Sequence, residues 1–130
     1  MDTEYKHKKS KQKGGFLYAP DNSYTTYSVF TGGQKIYGTH LKSVILYGSY
    51  ARGDYTSDSD IDIMLLVDLS PEEMDAYSDE LSELGYEYNV DYDIWMMPVV
   101  KNLQHFRKWV TSYPFYSNVQ KEGVVLYEAA

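Results

Sequence analysis

Cysteine is absent from the 130 residues. Disulfides and thiolate metal sites are thereby excluded, and a metal held by this chain must be a hard cation on oxygen ligands, which points to Mg²⁺ or Mn²⁺. No apolar run approaches the roughly 20 residues that span a bilayer. The lysine-rich start runs into Gly14-Gly15 rather than an apolar signal core, so the expectation is a soluble, unexported, cytoplasmic protein without a membrane partner. Basic residues are missing from a whole stretch: between Asp68 and Asp93 there are ten carboxylates and no Lys or Arg.

What is present sharpens these exclusions. The formal charge is -7, but five of the 12 basic residues (Lys6, Lys8, Lys9, Lys11, Lys13) fall in the first 13 positions. From Gly14 onward 7 basic residues face 17 acidic ones, a net of -10. Such a body lacks the basic footprint that a phosphate backbone requires, which argues against nucleic acid as the primary partner. Residues 1–15 are expected to form a flexible basic lead-in, and residues 16–130, with an apolar content of 43% for the chain, a single domain with a real core.

Along the body, Ser43-Val44-Ile45-Leu46-Tyr47 and Ile61-Asp62-Ile63-Met64-Leu65-Leu66-Val67 read as buried strands. Ser70-Pro71-Glu72-Glu73 supplies an N-cap, a proline at the first helical position and a capping-box Glu. Met74, Tyr77, Leu81 and Leu84 continue that helix, and Gly85 is expected to end it. From Tyr86 to Met97 apolar and polar residues alternate, which predicts a long strand. Leu103, Phe106 and Val110 predict a helix between Pro98 and Pro114, and Gly123 to Tyr127 a last strand or packed tail. The sequence admits a helix between Tyr24 and His40, but Gly32-Gly33 and Gly38 argue against one unbroken element. Of the fifteen tyrosines, Tyr47, Tyr50 and Tyr55 flank the segment discussed next; packing accounts for most of such residues. His40 and His105 have no companion at ligand spacing.

The chemistry concentrates between Leu46 and Met64. A strand that ends in Gly48-Ser49 and turns into a short helix gathers backbone N–H groups at one point, where an anion such as a triphosphate is favoured. Gly48 lets a phosphate approach the backbone, the Ser49 hydroxyl can donate to it, and Arg52 adds a positive charge one turn on. Asp60 and Asp62, at i and i+2 of a strand, project from one face. Two adjacent carboxylates repel unless a cation lies between them, and Mg²⁺ suits such oxygens. Asp91-Tyr92-Asp93 repeats the spacing, so one of these carboxylates can join the site if the two strands are neighbours. Asp93 is preferred because it precedes the apolar Ile94-Trp95-Met96-Met97 run. Three carboxylates can hold two cations around a triphosphate, the clamp that in-line phosphoryl transfer needs.

Gly48-Ser49, ten residues, then Asp60-Ile61-Asp62 resembles the G-S-x(10)-D-x-D signature of the DNA polymerase β-like nucleotidyltransferase superfamily. Tyr47-Gly48-Ser49-Tyr50-Ala51-Arg52-Gly53 and Ser59-Asp60-Ile61-Asp62-Ile63 look like the minimal nucleotidyltransferases of bacteria and archaea, with the resemblance clear from about Leu41 to Met97. It implies an α/β (α+β) fold, a mixed β-sheet flanked by helices, with ATP as substrate and two Mg²⁺ ions. By motif position Gly48, Ser49 and Arg52 would bind the nucleotide, and Asp60, Asp62 and Asp93 would be the catalytic, metal-holding carboxylates, Asp93 also helping the acceptor hydroxyl lose its proton. Many minimal members act as antitoxins of HEPN-domain toxins, some by transferring AMP to a toxin tyrosine, so a HEPN-type toxin is the partner the resemblance implies. The alternatives are transfer to a small molecule, as in aminoglycoside-modifying relatives that add a helical domain, and a non-catalytic antitoxin that binds a basic toxin through the acidic stretch. Residues 1–31 depart from the helix such a fold would place before its first strand.

Overall fold

The computed structural model describes residues 23–92 and 95–129. The basic lead-in, the segment from residue 16 to residue 22, and Asp93 lie outside the described residues. In chain order the elements are helix α1 (Ser23–Tyr37), a 3-10 turn (Gly38–His40), strand β1 (Leu41–Tyr47), the one-turn helix α2 (Ser49–Arg52), β2 (Ile61–Val67), α3 (Pro71–Asp75), α4 (Ser78–Tyr92), β3 (Met96–Asn102), α5 (Leu103–Trp109), α6 (Pro114–Glu122) and β4 (Val124–Glu128). The sheet order is β3-β2-β1-β4. β1 runs antiparallel to both β2 and β4, whereas β2 and β3 are parallel. The sheet is thus mixed and helix-flanked, as the motif implied. Among the described residues no helix is long and apolar enough to cross a membrane.

Both faces of the sheet are covered, which explains the near-continuous apolar runs of its two central strands. Val44, Leu46, Ile61, Ile63 and Leu65 pack with Val29 of α1 and with Leu81 and Leu84 of α4. Ile45, Met64 and Leu66 turn the other way, onto Phe106 of α5 and Tyr116 and Val119 of α6. Within β2 only Asp62 is less than fully buried. His40, without a companion in the sequence, bonds Asp68 at 2.7 Å, and His105 packs against Tyr116, its Nδ1 3.0 Å from the phenol oxygen.

Four expectations need correction. Helix α1 runs unbroken through Gly32 and Gly33, and it supplies the helix before β1 from which the sequence of residues 1–31 departs. The glycines are there for close approach: a Cβ on Gly32 would stand 2.6 Å from a Leu84 methyl, and one on Gly33 3.2 Å from Leu65. The capping box at Ser70 forms as expected, with Glu73 N–H donating to Ser70 Oγ and Ser70 N–H to Glu73 Oε1. Its helix, however, tightens to i→i−3 bonds at Ala76 and Tyr77, and a second helix starts at Ser78, whose hydroxyl donates to the Asp75 carbonyl.

That second helix passes Gly85 without stopping and takes in Tyr86–Tyr92, so the long strand predicted from Tyr86 is absent; Asp91 lies on α4 rather than on a strand. Gly85 is buried where α4 crosses β3, 3.4 Å from the Met96 carbonyl at the Cβ position. Finally, β3 runs on past Met97 through Asn102, and the helix expected between Pro98 and Pro114 forms over Leu103–Trp109, with the Asn102 carboxamide oxygen accepting from His105 N–H at 2.8 Å.

Candidate active site

The end of β1 and the start of β2 lie side by side, with Tyr47 paired across to Asp62. After Tyr47 the chain turns sharply at Gly48, whose φ of 74° and ψ of -155° suit glycine alone. The Asp62 carboxylate occupies the space where a Gly48 side chain would be: a Cβ there would collide with Asp62 Oδ2. The absence of one side chain is what lets the acid lie against the turn.

Beyond Gly48, the N–H groups of Ala51 and Arg52 both return to the Gly48 carbonyl at 3.1 Å. The amides of Ser49 and Tyr50 stand ahead of these, at the open end of the turn. Helix α2 is a single turn, so what it presents at its open end is these N–H groups rather than a macrodipole. Gly53, at φ 86°, ends it, its N–H bonded to the Ser49 carbonyl at 2.9 Å. The return to β2 is shaped by Thr56 and Ser59, which exchange backbone and hydroxyl bonds of 2.9 to 3.1 Å. Ile61 N–H then donates to the Trp95 carbonyl at 2.7 Å, fixing β2 against the approach to β3.

Asp62 is half-buried and Asp60 exposed. Burial pushes the Asp62 carboxyl above its ordinary value, the neighbouring Asp60 charge pushes it further, and Arg52 acts against both. Tyr47 is driven up to about 12, mainly by burial and then by the Asp62 charge, so its phenol keeps its proton. A partly desolvated carboxylate beside a second one, in an all-oxygen setting, is a donor set that a hard divalent cation relieves. Among the described residues no group of three or more acidic, His or Cys side chains is gathered to hold a metal. Asp60 and Asp62 could supply two oxygen ligands to such a cation, and the rest of its coordination would have to come from elsewhere.

The structure brings Gly48, Ser49, Asp60 and Asp62 to one end of the sheet. Arg52 is nearby, but its guanidinium already bonds Asp54 at 3.2 Å and Glu122 of α6 at 3.1 Å. Two neighbours escaped the sequence reading. Glu122 gave no local signal because it reaches the site from α6. Met97 stands in register beside Asp62 on β3, a place visible only once the strand boundaries are known.

Fold and turn together place the molecule among enzymes that move nucleotidyl groups. The family model described as a nucleotidyltransferase domain matches residues 34–123, and the chain belongs to that family. It is 38% identical over 91 residues to a candidate protein adenylyltransferase of Methanocaldococcus jannaschii, covering 70% of this chain and 83% of that protein. A second such protein of the same organism is 33% identical over 84 residues, covering 65% of this chain and 77% of its own length. Among solved structures, a toxin-antitoxin with AMP-PNP shares the fold with a TM-score of 0.50 at 20% identity, covering 76% of this chain and 70% of that one.

Proposed function

We propose that this enzyme transfers AMP from ATP to a hydroxyl on a partner protein, in the cytoplasm, as the antitoxin of a HEPN-type toxin. The observation that carries the transfer chemistry is the Asp62 carboxylate set against the bare backbone of Gly48, beside Asp60, because phosphates held on that turn lie next to the carboxylate pair. Protein as the acceptor is supported by the two relatives described as candidate protein adenylyltransferases, each matched over more than three quarters of its own length.

In this reading the Gly48-Ser49 turn holds the triphosphate through its N–H groups and the Ser49 hydroxyl, and Arg52 adds positive charge after exchanging a carboxylate partner for phosphate. Asp60 and Asp62 would hold Mg²⁺, and Asp93, by the resemblance of the motif, would complete the set. Cations held there would supply neutralisation of the charge on the phosphate oxygens. The acceptor oxygen attacks the α-phosphorus, the bond to the pyrophosphate oxygen breaks, and Asp93 assists removal of the acceptor's proton.

The acceptor class is tested by incubating the protein with ATP labelled at the α-phosphate, Mg²⁺ and a cell extract. Label is expected on protein; label confined to small molecules overturns the acceptor, and label nowhere favours a non-catalytic binding module. The binding step is tested separately. Saturating ATP with Mg²⁺ should raise the melting temperature, since a ligand at a hundred times its Kd stabilises by about 2.7 kcal/mol. The double variant Ser49→Ala, Asp60→Asn should show no rise, and an equal rise in both proteins would remove these residues from the site.

A further inference from the structure

At the β3 edge of the sheet, three large apolar side chains stand in solvent, and one of them, Met97, pairs in register with Asp62. Tyr86 of α4 is 68% exposed, Trp95 63% and Met97 48%. They border a groove of about 520 Å³ floored by Leu81, Gly85 and Pro98. Exposed aromatics and methionine in one patch mark a contact surface rather than ordinary surface.

The groove is tied to the site by hydrogen bonding and register. The Trp95 carbonyl takes Ile61 N–H at 2.7 Å, and Met97 pairs with Asp62. Residues in register on neighbouring strands point to the same face, so Met97, Asp62 and Tyr47 form a row across β3, β2 and β1. Whatever rests on Met97 and Trp95 therefore stands beside the reacting groups. The surroundings are acidic: Glu83 and Glu87 are exposed on α4 around Tyr86, within the stretch of ten carboxylates without a Lys or Arg.

We infer that this groove is the docking surface for the acceptor, a polypeptide segment with an apolar face flanked by Lys or Arg that delivers its hydroxyl past Met97 to Asp62. The inference rests on the protein-acceptor reading above and adds to it where the acceptor sits and what its sequence must look like. Charge favours this occupant over a second copy of the chain, because two bodies of net charge -10 from Gly14 onward repel. Apolar contact supplies affinity, and the acidic rim supplies selection and rate of encounter.

The test uses a synthetic peptide with one tyrosine, leucines at helical spacing and lysines on the other face, together with a twin in which every lysine is glutamate. In full-length protein carrying Trp109→Phe, Trp95 is the only tryptophan and reports occupancy directly. The lysine peptide should shift and quench Trp95 emission at micromolar concentration, weaken at least tenfold in 0.5 M salt, and accept labelled AMP; the glutamate twin should do none of these. In otherwise wild-type protein, Trp95→Ala with Met97→Ser should lower kcat/KM for the lysine peptide at least tenfold, with the ATP-induced melting shift unchanged. Equal labelling of the two peptides, or equal labelling by variant and wild type, overturns the inference. So does a dimer dissolved by Trp95→Ala, or a Trp95 emission that moves when residues 1–15 are removed, since each gives the groove another occupant. The fluorescence titration needs no catalysis. If ATP shifts the melting temperature but the lysine peptide leaves Trp95 unmoved, docking alone is wrong; if the peptide binds but no label moves, the transfer reading is wrong.

Discussion

Asp62→Asn is expected to abolish nucleotidyl transfer, by about a thousandfold or more, and at the same time to make the unliganded protein slightly more stable. The two effects share one cause. Burial and the Asp60 charge raise the Asp62 carboxyl above its usual 3.8, so the folded chain holds that proton more tightly than the unfolded chain does. Stability then falls as pH climbs through the interval between the unfolded and folded values, and it stays reduced above that interval. Asparagine has nearly the same shape and nothing to ionise. At pH 7 the variant should melt above wild type, and the gap should shrink as pH is lowered towards 4. Labelled transfer and thermal melting at two pH values check this. A variant that retains a tenth of the activity, or that melts below wild type at pH 7, contradicts the assignment of Asp62 as a strained, charge-bearing site residue.

Gly48→Ala should be damaging for a different reason, since no charge is altered. An L-residue at φ 74°, ψ -155° costs on the order of 1–3 kcal/mol in backbone strain alone. The added methyl also collides with the Asp62 carboxylate, which must move off the turn. Transfer is expected to fall at least about a hundredfold, consistent with the cost of displacing a catalytic group by an ångström. Gly53 provides the comparison. It too has a positive φ, 86°, but nothing lies within 4 Å of its would-be Cβ, so Gly53→Ala should cost only about 1–2 kcal/mol of strain. The collision term is isolated by a double-mutant cycle. Asp62→Gly should return part of the stability that Gly48→Ala removes, a coupling of about 0.5–3 kcal/mol, measured by chemical denaturation. Strict additivity of the two changes would mean that the carboxylate and the turn do not touch.

The motif at Gly48-Ser49 and Asp60/Asp62 was legible because its parts are local, each set by a turn or by alternation along one strand. The two central strands and the Ser70 cap were legible for the same reason. The extent of α4 was not. A parallel partner for β2 can start only after the chain has travelled back the length of that strand, about 23 Å for its seven residues. Because the helix begun at Pro71 ends at Asp75, the return falls to the helix that starts at Ser78; stopped at Gly85 it would cover about half that distance, whereas the 15 residues of Ser78–Tyr92 cover about 22 Å. The alternation of tyrosines after Tyr86 was real, but the crossover decided the matter. Gly32 and Gly85 misled in a related way: each read as a helix breaker, and each is a contact point between packed elements. The raised Asp62 carboxyl depends on strand order and on the covering helices, and no pattern along the chain reports it.

Residues 48–60 join β1 to β2, the two innermost strands of the sheet. The turn that would cradle phosphate and the approach to the carboxylates are thus the connection of the antiparallel pair around which the rest is laid. The conformational entropy lost in ordering Gly48 against Asp62 is lost when the chain folds rather than when nucleotide arrives. A nucleotide bound there, as proposed, would meet a frame already set at both ends, and more of its binding free energy would remain available for the reaction itself.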